Sequence, residues 1–196
     1  MSYIIVGLGN PGKEYEETRH NTGRIILEYV RKKNDFPLWN ADKKTRALIS
    51  EGKVEKEKVL LLMPETFMNN SGKSLTPIIT SKKKAEQVVV IYDDLDLSIG
   101  TFKVSFDRGS GGHKGIESIA RSIKTKGFVR IRVGVSPKTA SGKTQKPKGE
   151  QKVVEFILKN FRDSESEVLK KLSKKINEAV LTIITEGHLA AMNRFN

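Results

Sequence analysis

The sequence has 196 residues, of which 37% are hydrophobic and 30% are charged, a length that suits one domain with a full hydrophobic core. No apolar run approaches the roughly 20 residues that a membrane helix needs. The N-terminus has no basic segment before an apolar run, so no signal peptide is predicted. The absence of cysteine excludes disulfides, thiol nucleophiles and thiolate metal sites, and it favours a cytosolic location.

The charge balance is strongly positive. Lysine and arginine number 36 against 23 aspartate and glutamate residues, which gives a net charge of +13 and a pI near 9.8. A field of this sign attracts polyanions and speeds their capture. The charge therefore favours a nucleic-acid partner, and the alternative is a lysine-rich surface that serves only solubility.

The first half of the chain predicts alternating strands and helices. An apolar, β-branched run predicts a strand at 3–8, and an amphipathic pattern predicts a helix at 24–33. The continuous β-branched run at 87–92 predicts a strand in a sheet that is covered on both faces. Further strands are predicted at 45–51 and 58–63, and a further helix at 66–81.

The second half predicts a strand at 102–106 and then a helix that opens at 110–112 and carries an apolar stripe from Ile116 to Ile123. The alternation of Arg130 and Arg132 with apolar residues predicts a half-exposed strand at 129–135. A long final helix is predicted from Ser164, as N-cap in a capping box with Glu167, to a C-cap at Gly187.

The stretch 137–152 is rich in lysine, proline and glycine, and it cannot bury enough apolar area to order itself. It is therefore predicted to be a mobile basic loop. The order of elements predicts the α/β class, with a three-layer α/β/α globule around a mixed, mostly parallel sheet. Residues 1–196 are expected to form a single domain.

The segment Gly7-Leu8-Gly9-Asn10-Pro11-Gly12 matches the G-x-G-x-x-G pattern of dinucleotide-binding folds. That fold also needs a helix at the third glycine and an acidic residue at the end of a second strand. Here a polar, aperiodic stretch follows Gly12, and Pro11 has no N–H to offer a phosphate. Dinucleotide binding is therefore not expected. Two interpretations of the segment stay open: it is a tight turn only, or it is a turn that directs Asn10 into a ligand site.

Three carboxylates follow the strand at 87–92, in the stretch Tyr92 to Asp96. They could hold Mg²⁺, cap a turn, or orient a histidine. If the first strand and the strand at 87–92 are neighbours, His20 and Asp93 could meet at one sheet edge. The three histidines of the chain, His20, His113 and His188, show no metal-binding spacing, and no nucleophile elbow is present.

Two polar loops are further candidates. The stretch 67–72 places Asn69 and Asn70 at a helix start, where their amides could stabilise an oxyanion or simply cap the helix. The stretch 109–114 is glycine-rich and leads into a helix, so its N–H groups and Lys114 could bind an anion or form an ordinary turn.

These motifs together resemble the bacterial-type peptidyl-tRNA hydrolase family over nearly the whole chain. The resemblance rests on the order and spacing of GLGNPG, Tyr15, TRHNTG at 18–23, PETFMNNSG at 64–72, YDDLD at 92–96, GSGGHKG at 109–115 and RIRVGV at 130–135. Each motif alone is weak evidence for the family, but their occurrence together in this order and at this spacing is specific. The resemblance implies a monomeric α/β enzyme without cofactor or metal that cleaves the ester between peptide and tRNA.

The resemblance also implies residue roles. His20 matches the catalytic histidine that activates water, and Asp93 matches the carboxylate that keeps it basic. Asn10 matches the residue that helps distinguish N-blocked peptidyl-tRNA from free aminoacyl-tRNA. Residues that match substrate-binding positions are Tyr15, Phe67, Met68, Asn69 and Lys114. The expected partner is tRNA, with no protein partner and no membrane.

The chain departs from the family pattern at Lys114, where the family has asparagine, and in the length and basic character of 137–152. A non-catalytic RNA-binding relative of the same fold is therefore the alternative. The lysines of this loop are expected to supplement tRNA binding, together with Lys103, Arg108, Lys114, Arg130 and Arg132.

Overall fold

The computed structural model describes residues 3–196. In this part of the chain, a seven-stranded sheet has the order β2-β3-β4-β1-β5-β7-β6. The strands are β1 (Tyr3–Gly7), β2 (Asn40–Asp42), β3 (Ala47–Val54), β4 (Glu57–Pro64), β5 (Val88–Ser98), β6 (Phe102–Phe106) and β7 (Val129–Ser136).

Strands β4, β1, β5 and β7 lie side by side and run parallel, whereas β3 and β6 run antiparallel to their neighbours. The central strands are buried, and their apolar β-branched residues suit a sheet that is covered on both faces. This confirms the predicted mixed, mostly parallel sheet, and it brings the carboxyl ends of β1 and β5 together.

Helices cover both faces of the sheet. The α-helices are α1 (Thr22–Lys33), α2 (Lys82–Ala85), α3 (Lys114–Ser122), α4 (Glu150–Ile157), α5 (Asp163–Glu186) and α6 (His188–Phe195). Helices α1, α5 and α6 close one core with side chains such as Ile26 and Ile183, and α3 closes the other with Ile116 and Ile119. The predicted three-layer α/β/α arrangement is confirmed.

The prediction of a helix at 66–81 is wrong. The structure has a 3₁₀ helix at Met68–Ser74, then turns, and then the short α2. The Ser71 hydroxyl bonds the Met68 carbonyl, and Gly72 packs directly against the backbone of Ser118. Short polar side chains compete with helical hydrogen bonding, and here the close contact with α3 fixes the tighter path.

Two other element boundaries and the burial of one strand differ from prediction. Strand β5 continues through Asp93 and Asp94 to Ser98 because it pairs with β7, with an irregularity before Ser98. Strand β7 is buried along its whole length, not half-exposed, and Arg130 and Arg132 are both buried. Helix α3 begins at Lys114, not at 110–112.

The long final helix begins two residues earlier than predicted, because the Glu165 carboxylate accepts the Arg162 amide at 2.8 Å. Gly187 ends it as predicted, with φ 91°, and α6 follows. The sequence patterns did not predict β2, α4 or α6. Helix α4 begins at Glu150, inside the stretch expected to be a mobile loop, and that mobility stays a prediction. Among residues 3–196, no helix is long and apolar enough to cross a membrane.

Candidate active site

The glycine-rich turn after β1 is shaped by close packing. A side chain at Gly7 would collide with the carbonyl of Gly23 and with Leu27, and Gly12 has a φ of 112°. A 3₁₀ helix at Lys13–Tyr15 follows, and α1 begins only at Thr22. The turn therefore brings β1 against α1 without opening a phosphate-binding helix.

Asn10 is fixed by polar contacts on both its backbone and its side chain. Its backbone N–H donates to Asn21 Oδ1 at 2.8 Å, and its carbonyl accepts from Asn21 Nδ2 at 2.9 Å. Its side-chain Oδ1 accepts the Met68 amide at 2.9 Å. The amide is therefore held with Nδ2 as the group left for a ligand.

His20 and Asp93 meet at the carboxyl end of the central strands. His20 lies in a 3₁₀ helix at Arg19–Asn21 just before α1, and its Nδ1 is 3.0 Å from Asp93 Oδ2 and 3.1 Å from Oδ1. Both residues are buried. A carboxylate only accepts, so Nδ1 carries the proton and Nε2 is the basic nitrogen. Strands β1 and β5 are neighbours, so the condition set for this contact is met, and the contact is present.

A second histidine shares the same carboxylate. His113 Nε2 is 3.0 Å from Asp93 Oδ1, and His113 Nδ1 accepts the Ile116 amide at 3.4 Å at the start of α3. Its ring lies edge-on to Tyr92 at 4.8 Å between centroids. His113 is therefore held as the Nε2–H tautomer, and it donates to Asp93 from the side opposite α1.

Asp93 is ionised in this setting. Burial alone would raise the pKa of its carboxyl, but the charges and hydrogen bonds of His20 and His113 outweigh burial and hold that pKa well below its usual range. Burial, with the nearby charge of Asp94, raises the pKa of Tyr92 to about 12. The site thus combines one buried carboxylate with two imidazoles and a neutral phenol.

The remaining acids of the 92–96 stretch have cationic partners. Asp94 accepts from Arg132 Nε at 2.7 Å, and Asp96 lies 2.7 Å from Lys146 Nζ. The ligand atoms of His20, Asp93 and His113 lie within 4.8 Å of one another, so within residues 3–196 this cluster is the group that could hold a metal ion. The observed arrangement instead places a ring nitrogen of each histidine at hydrogen-bonding distance from the carboxylate.

A cavity of about 630 Å³ opens over these residues. Its wall combines the polar groups with apolar side chains of α4 and of the segment that follows β4. The predicted residues that line it are Asn10, His20, Phe67, Met68, Asn69, Asp93 and Lys114. Tyr15 is the predicted residue outside this lining, and it lies half-buried in the 3₁₀ helix at Lys13–Tyr15.

The positive side chains expected to bind tRNA phosphates divide into buried and exposed groups. Arg130 is fully buried, donates to the carbonyls of Arg108 and Lys126, and lies over the Phe128 ring. Arg132 is paired with Asp94. These two residues, expected to bind phosphates, are therefore occupied in the interior. Lys114 is exposed and lies 3.6 Å from Glu150 at the start of α4.

The comparison with known proteins decides the family. The family model described as peptidyl-tRNA hydrolase matches residues 4–196. The chain belongs to the peptidyl-tRNA hydrolase family. A peptidyl-tRNA hydrolase of Thermoanaerobacter sp. (strain X514) is 39% identical over 195 residues, with 99% of each chain covered. One of Fusobacterium nucleatum is 38% identical over 196 residues, with 98% of this chain and 95% of the relative covered.

Solved structures of the peptidyl-tRNA hydrolase family give the same fold. The crystal structure of peptidyl-tRNA hydrolase from Acinetobacter baumannii matches with a TM-score of 0.87 and 31% identity. The match covers 100% of this chain and 96% of that one. A complex of peptidyl-tRNA hydrolase with N-propanol also matches with a TM-score of 0.87, at 30% identity.

Sequence reasoning about this family member missed His113 and the apolar wall from α4. From the sequence, His113 is a histidine without metal-binding spacing that lies in a glycine-rich loop. One signal was available, because its position directly before a helix allows its ring to accept a backbone N–H at the helix start. Helix α4 carries Val153, Val154 and Ile157 toward the cavity. The lysine-rich segment before α4 made this short amphipathic pattern hard to recognise in the sequence.

Proposed function

We propose that this protein hydrolyses the ester bond between peptide and tRNA in peptidyl-tRNA, with His20 as the general base and Asp93 as its orienting carboxylate. The observation that carries the proposal is the contact of 3.0 Å between His20 Nδ1 and Asp93 at the base of the cavity. Family membership supports the substrate class. The setting is expected to be the cytosol, where tRNA is recycled from stalled translation, and the protein is expected to act as a monomer.

The proposed reaction begins at His20 Nε2. Asp93 holds the proton on Nδ1, so Nε2 takes a proton from a water molecule as the water oxygen attacks the ester carbonyl. The negative carboxylate stabilises the imidazolium that forms. When the tetrahedral intermediate collapses, the C–O bond to the tRNA breaks, and the imidazolium returns its proton to the departing 3′-terminal ribose oxygen of the tRNA.

Amide groups at the cavity are proposed to bind the peptide and the oxyanion. The Nδ2 group of Asn10 is available because its Oδ1 is taken by the Met68 amide. Asn69 is exposed within the cavity wall and supplies a second donor. The apolar side chains of Phe67, Met68 and α4 suit the peptide portion, and the exposed lysines of 137–152 suit the phosphates of tRNA.

One assay tests the proposal directly. The protein is incubated with N-blocked aminoacyl-tRNA and with the unblocked form, next to a His20→Ala variant. We expect release of the blocked amino acid only, with a rate loss of about 10²–10⁴-fold in the variant. Equal cleavage by wild type and variant would contradict the mechanism. Binding of tRNA without any cleavage by wild type would favour the non-catalytic RNA-binding alternative.

A further inference from the structure

Arg19, the residue directly before His20, lies in an unusual environment. It is 4% exposed, and its guanidinium lies 4.6 Å from the centroid of the Phe156 ring and 5.4 Å from that of Phe161. Its Nη2 is 2.6 Å from Glu165 Oε2. Burial of a flexible, charged side chain costs hydration free energy and conformational entropy. Specific contacts with its neighbours must therefore offset that cost.

The contacts of Arg19 join two distant parts of the chain. Its Nη1 donates to the carbonyls of Lys159 and Asn160 at 3.1 and 2.8 Å, and its backbone N–H donates to the Lys159 carbonyl at 3.2 Å. The Phe161 amide in turn donates to the backbone carbonyl of Glu17 at 3.1 Å. The segment 156–165, which follows α4 directly, is therefore fastened to the segment that carries His20.

Helix α4 is otherwise weakly attached. Within the described residues, α4 has no buried side chain, and Val154 is 38% exposed. At its start, Glu150 lies 3.6 Å from Lys114, and both side chains are largely exposed. Exposed ion pairs contribute little, about 0–1 kcal/mol each. The firm attachment is therefore at the C-terminal end of α4, where Arg19 lies.

We propose that Arg19 is a positioning residue that fixes α4 over the cavity in register with His20. The inference rests on the proposed function, since it concerns binding of the same substrate. Arg19 lies outside the cavity lining, so it acts through two other elements. Its contacts with Phe156, Lys159 and Asn160 fix the position of α4, whose apolar side chains form one wall of the cavity. Its backbone hydrogen bond to Lys159 holds the 3₁₀ turn that carries His20. The peptide pocket is thereby formed before substrate arrives.

The test compares Arg19→Lys with a chemically matched control, Arg194→Lys. Lysine keeps the charge but not the planar fork that reaches two carbonyls and a carboxylate at once. Arg194 also pairs with a glutamate, Glu186 at 3.0 Å, and with Thr182, but it lies on α6. We expect Arg19→Lys to raise KM for N-blocked aminoacyl-tRNA about tenfold and to change kcat by about twofold or less. The control should leave both values unchanged.

Amide hydrogen exchange gives a readout that does not depend on activity. We expect Arg19→Lys to speed exchange in 150–159 while exchange in β5 and α5 stays as in wild type, since loss of the anchor opens α4 locally. Phe156→Ala, which leaves the hydrogen bonds of Arg19 in place, should act in the same direction and more weakly. It also keeps the proposal testable if Arg19→Lys does not fold.

The results separate the two proposals. A lowered melting temperature with unchanged KM and unchanged exchange in 150–159 would overturn the positioning role and leave Arg19 as a structural residue. Faster exchange in 150–159 in the variant, combined with a wild type that does not cleave peptidyl-tRNA, would support the anchor and contradict the proposed function.

Discussion

At the scale of single residues, the proposed chemistry depends on the charge of Asp93. Asp93→Asn removes the charge, and it places an NH₂ group against one of two imidazole N–H groups. We expect kcat to fall by about 10²-fold or more, because His20 is misoriented and its imidazolium is no longer stabilised. Single-turnover hydrolysis of N-blocked aminoacyl-tRNA measures this effect.

A matched control for Asp93→Asn is Asp42→Asn. Asp42 lies in β2 and accepts from Thr45 at 2.9 Å, far along the sheet order from β5. The control should keep full activity. A rate in Asp93→Asn equal to that of the control would mean that another group orients His20.

His113 provides a second prediction, about stability. His113→Phe keeps a ring of similar shape but removes one of the two histidine donors to the buried Asp93 carboxylate, which leaves His20 as its histidine partner. We expect the free energy of unfolding at pH 7 to fall by about 1–3 kcal/mol. Urea denaturation measures it. His188→Phe is the matched control, because His188 stacks on Phe106 at 4.4 Å between centroids, and that contact survives the change.

The sign of the pH effect follows from the lowered pKa of Asp93. A group whose pKa is lower in the folded state stabilises the protein above its unfolded pKa, about 3.9 for aspartate, and this contribution is lost as the pH falls below that value. The difference between wild type and His113→Phe should therefore be full at pH 7 and shrink below about pH 4. A difference that stays constant at low pH would assign the loss to packing alone.

At the scale of elements, Glu28 ties α1 to the segment that enters β2. It accepts from Arg31 at 2.9 and 3.0 Å and from the Trp39 indole at 2.6 Å. Burial alone would raise the pKa of Glu28, but the hydrogen bonds of Arg31, Trp39 and Lys32 lower it to about 2. Its stabilising contribution is therefore complete above its unfolded pKa, about 4.3, and it is lost as the pH falls toward 2.

Glu28→Gln should lower the free energy of unfolding at pH 7 by about 0.5–1 kcal/mol. The effect is small because the carboxylate is partly exposed to solvent, which screens its ion pairs. Urea denaturation at pH 7 and at pH 3 measures the loss, which should be smaller at pH 3. Glu86→Gln is the control, at the exposed end of α2, and it should change nothing at either pH. An equal loss at both pH values would contradict the electrostatic explanation.

The elements predicted correctly from the sequence are those with strong local periodicity. The β-branched run that became β5 and the apolar stripe of α5 need no tertiary information. The 3₁₀ helix at Met68–Ser74 was not predictable, because its path is set by contact of Gly72 with Ser118 in a distant helix. The burial of Arg130 likewise depends on the carbonyls of Arg108 and Lys126, which only the fold brings together.

The candidate site shows the same division. His20 and Asp93 could be placed together only on the condition that β1 and β5 are neighbours, since parallel neighbouring strands end at one edge of a sheet. The position of His113 directly before a helix is visible in the sequence, but its contact with Asp93 depends on α3 starting at the carboxyl end of β5, which only the fold shows. Helix α4 is short and has no buried side chain, so its place in the cavity wall follows from the Arg19 contacts rather than from its own pattern.

At the scale of the whole molecule, the net charge of +13 raises a question about tRNA capture. The charge could act as a general field, or the exposed loop 137–149 could contact phosphates directly. Lys143, Lys146 and Lys148 lie on this loop, and Lys146 also lines the cavity. Lys82, Lys83 and Lys84 lie in α2, before the amino end of β5. Replacing either set with glutamine gives the same net charge.

We expect the loop triple variant, K143Q/K146Q/K148Q, to raise KM for N-blocked aminoacyl-tRNA and to flatten its salt dependence. Each lost phosphate contact should reduce the slope of log KM against log salt by about 0.7–0.9. The α2 triple variant, K82Q/K83Q/K84Q, should keep the wild-type slope, because only screened long-range attraction changes. Measurements from 50 to 300 mM KCl decide between the two explanations. Equal slopes in the two variants would assign capture to the overall field, and the basic loop would then have no direct role in binding tRNA.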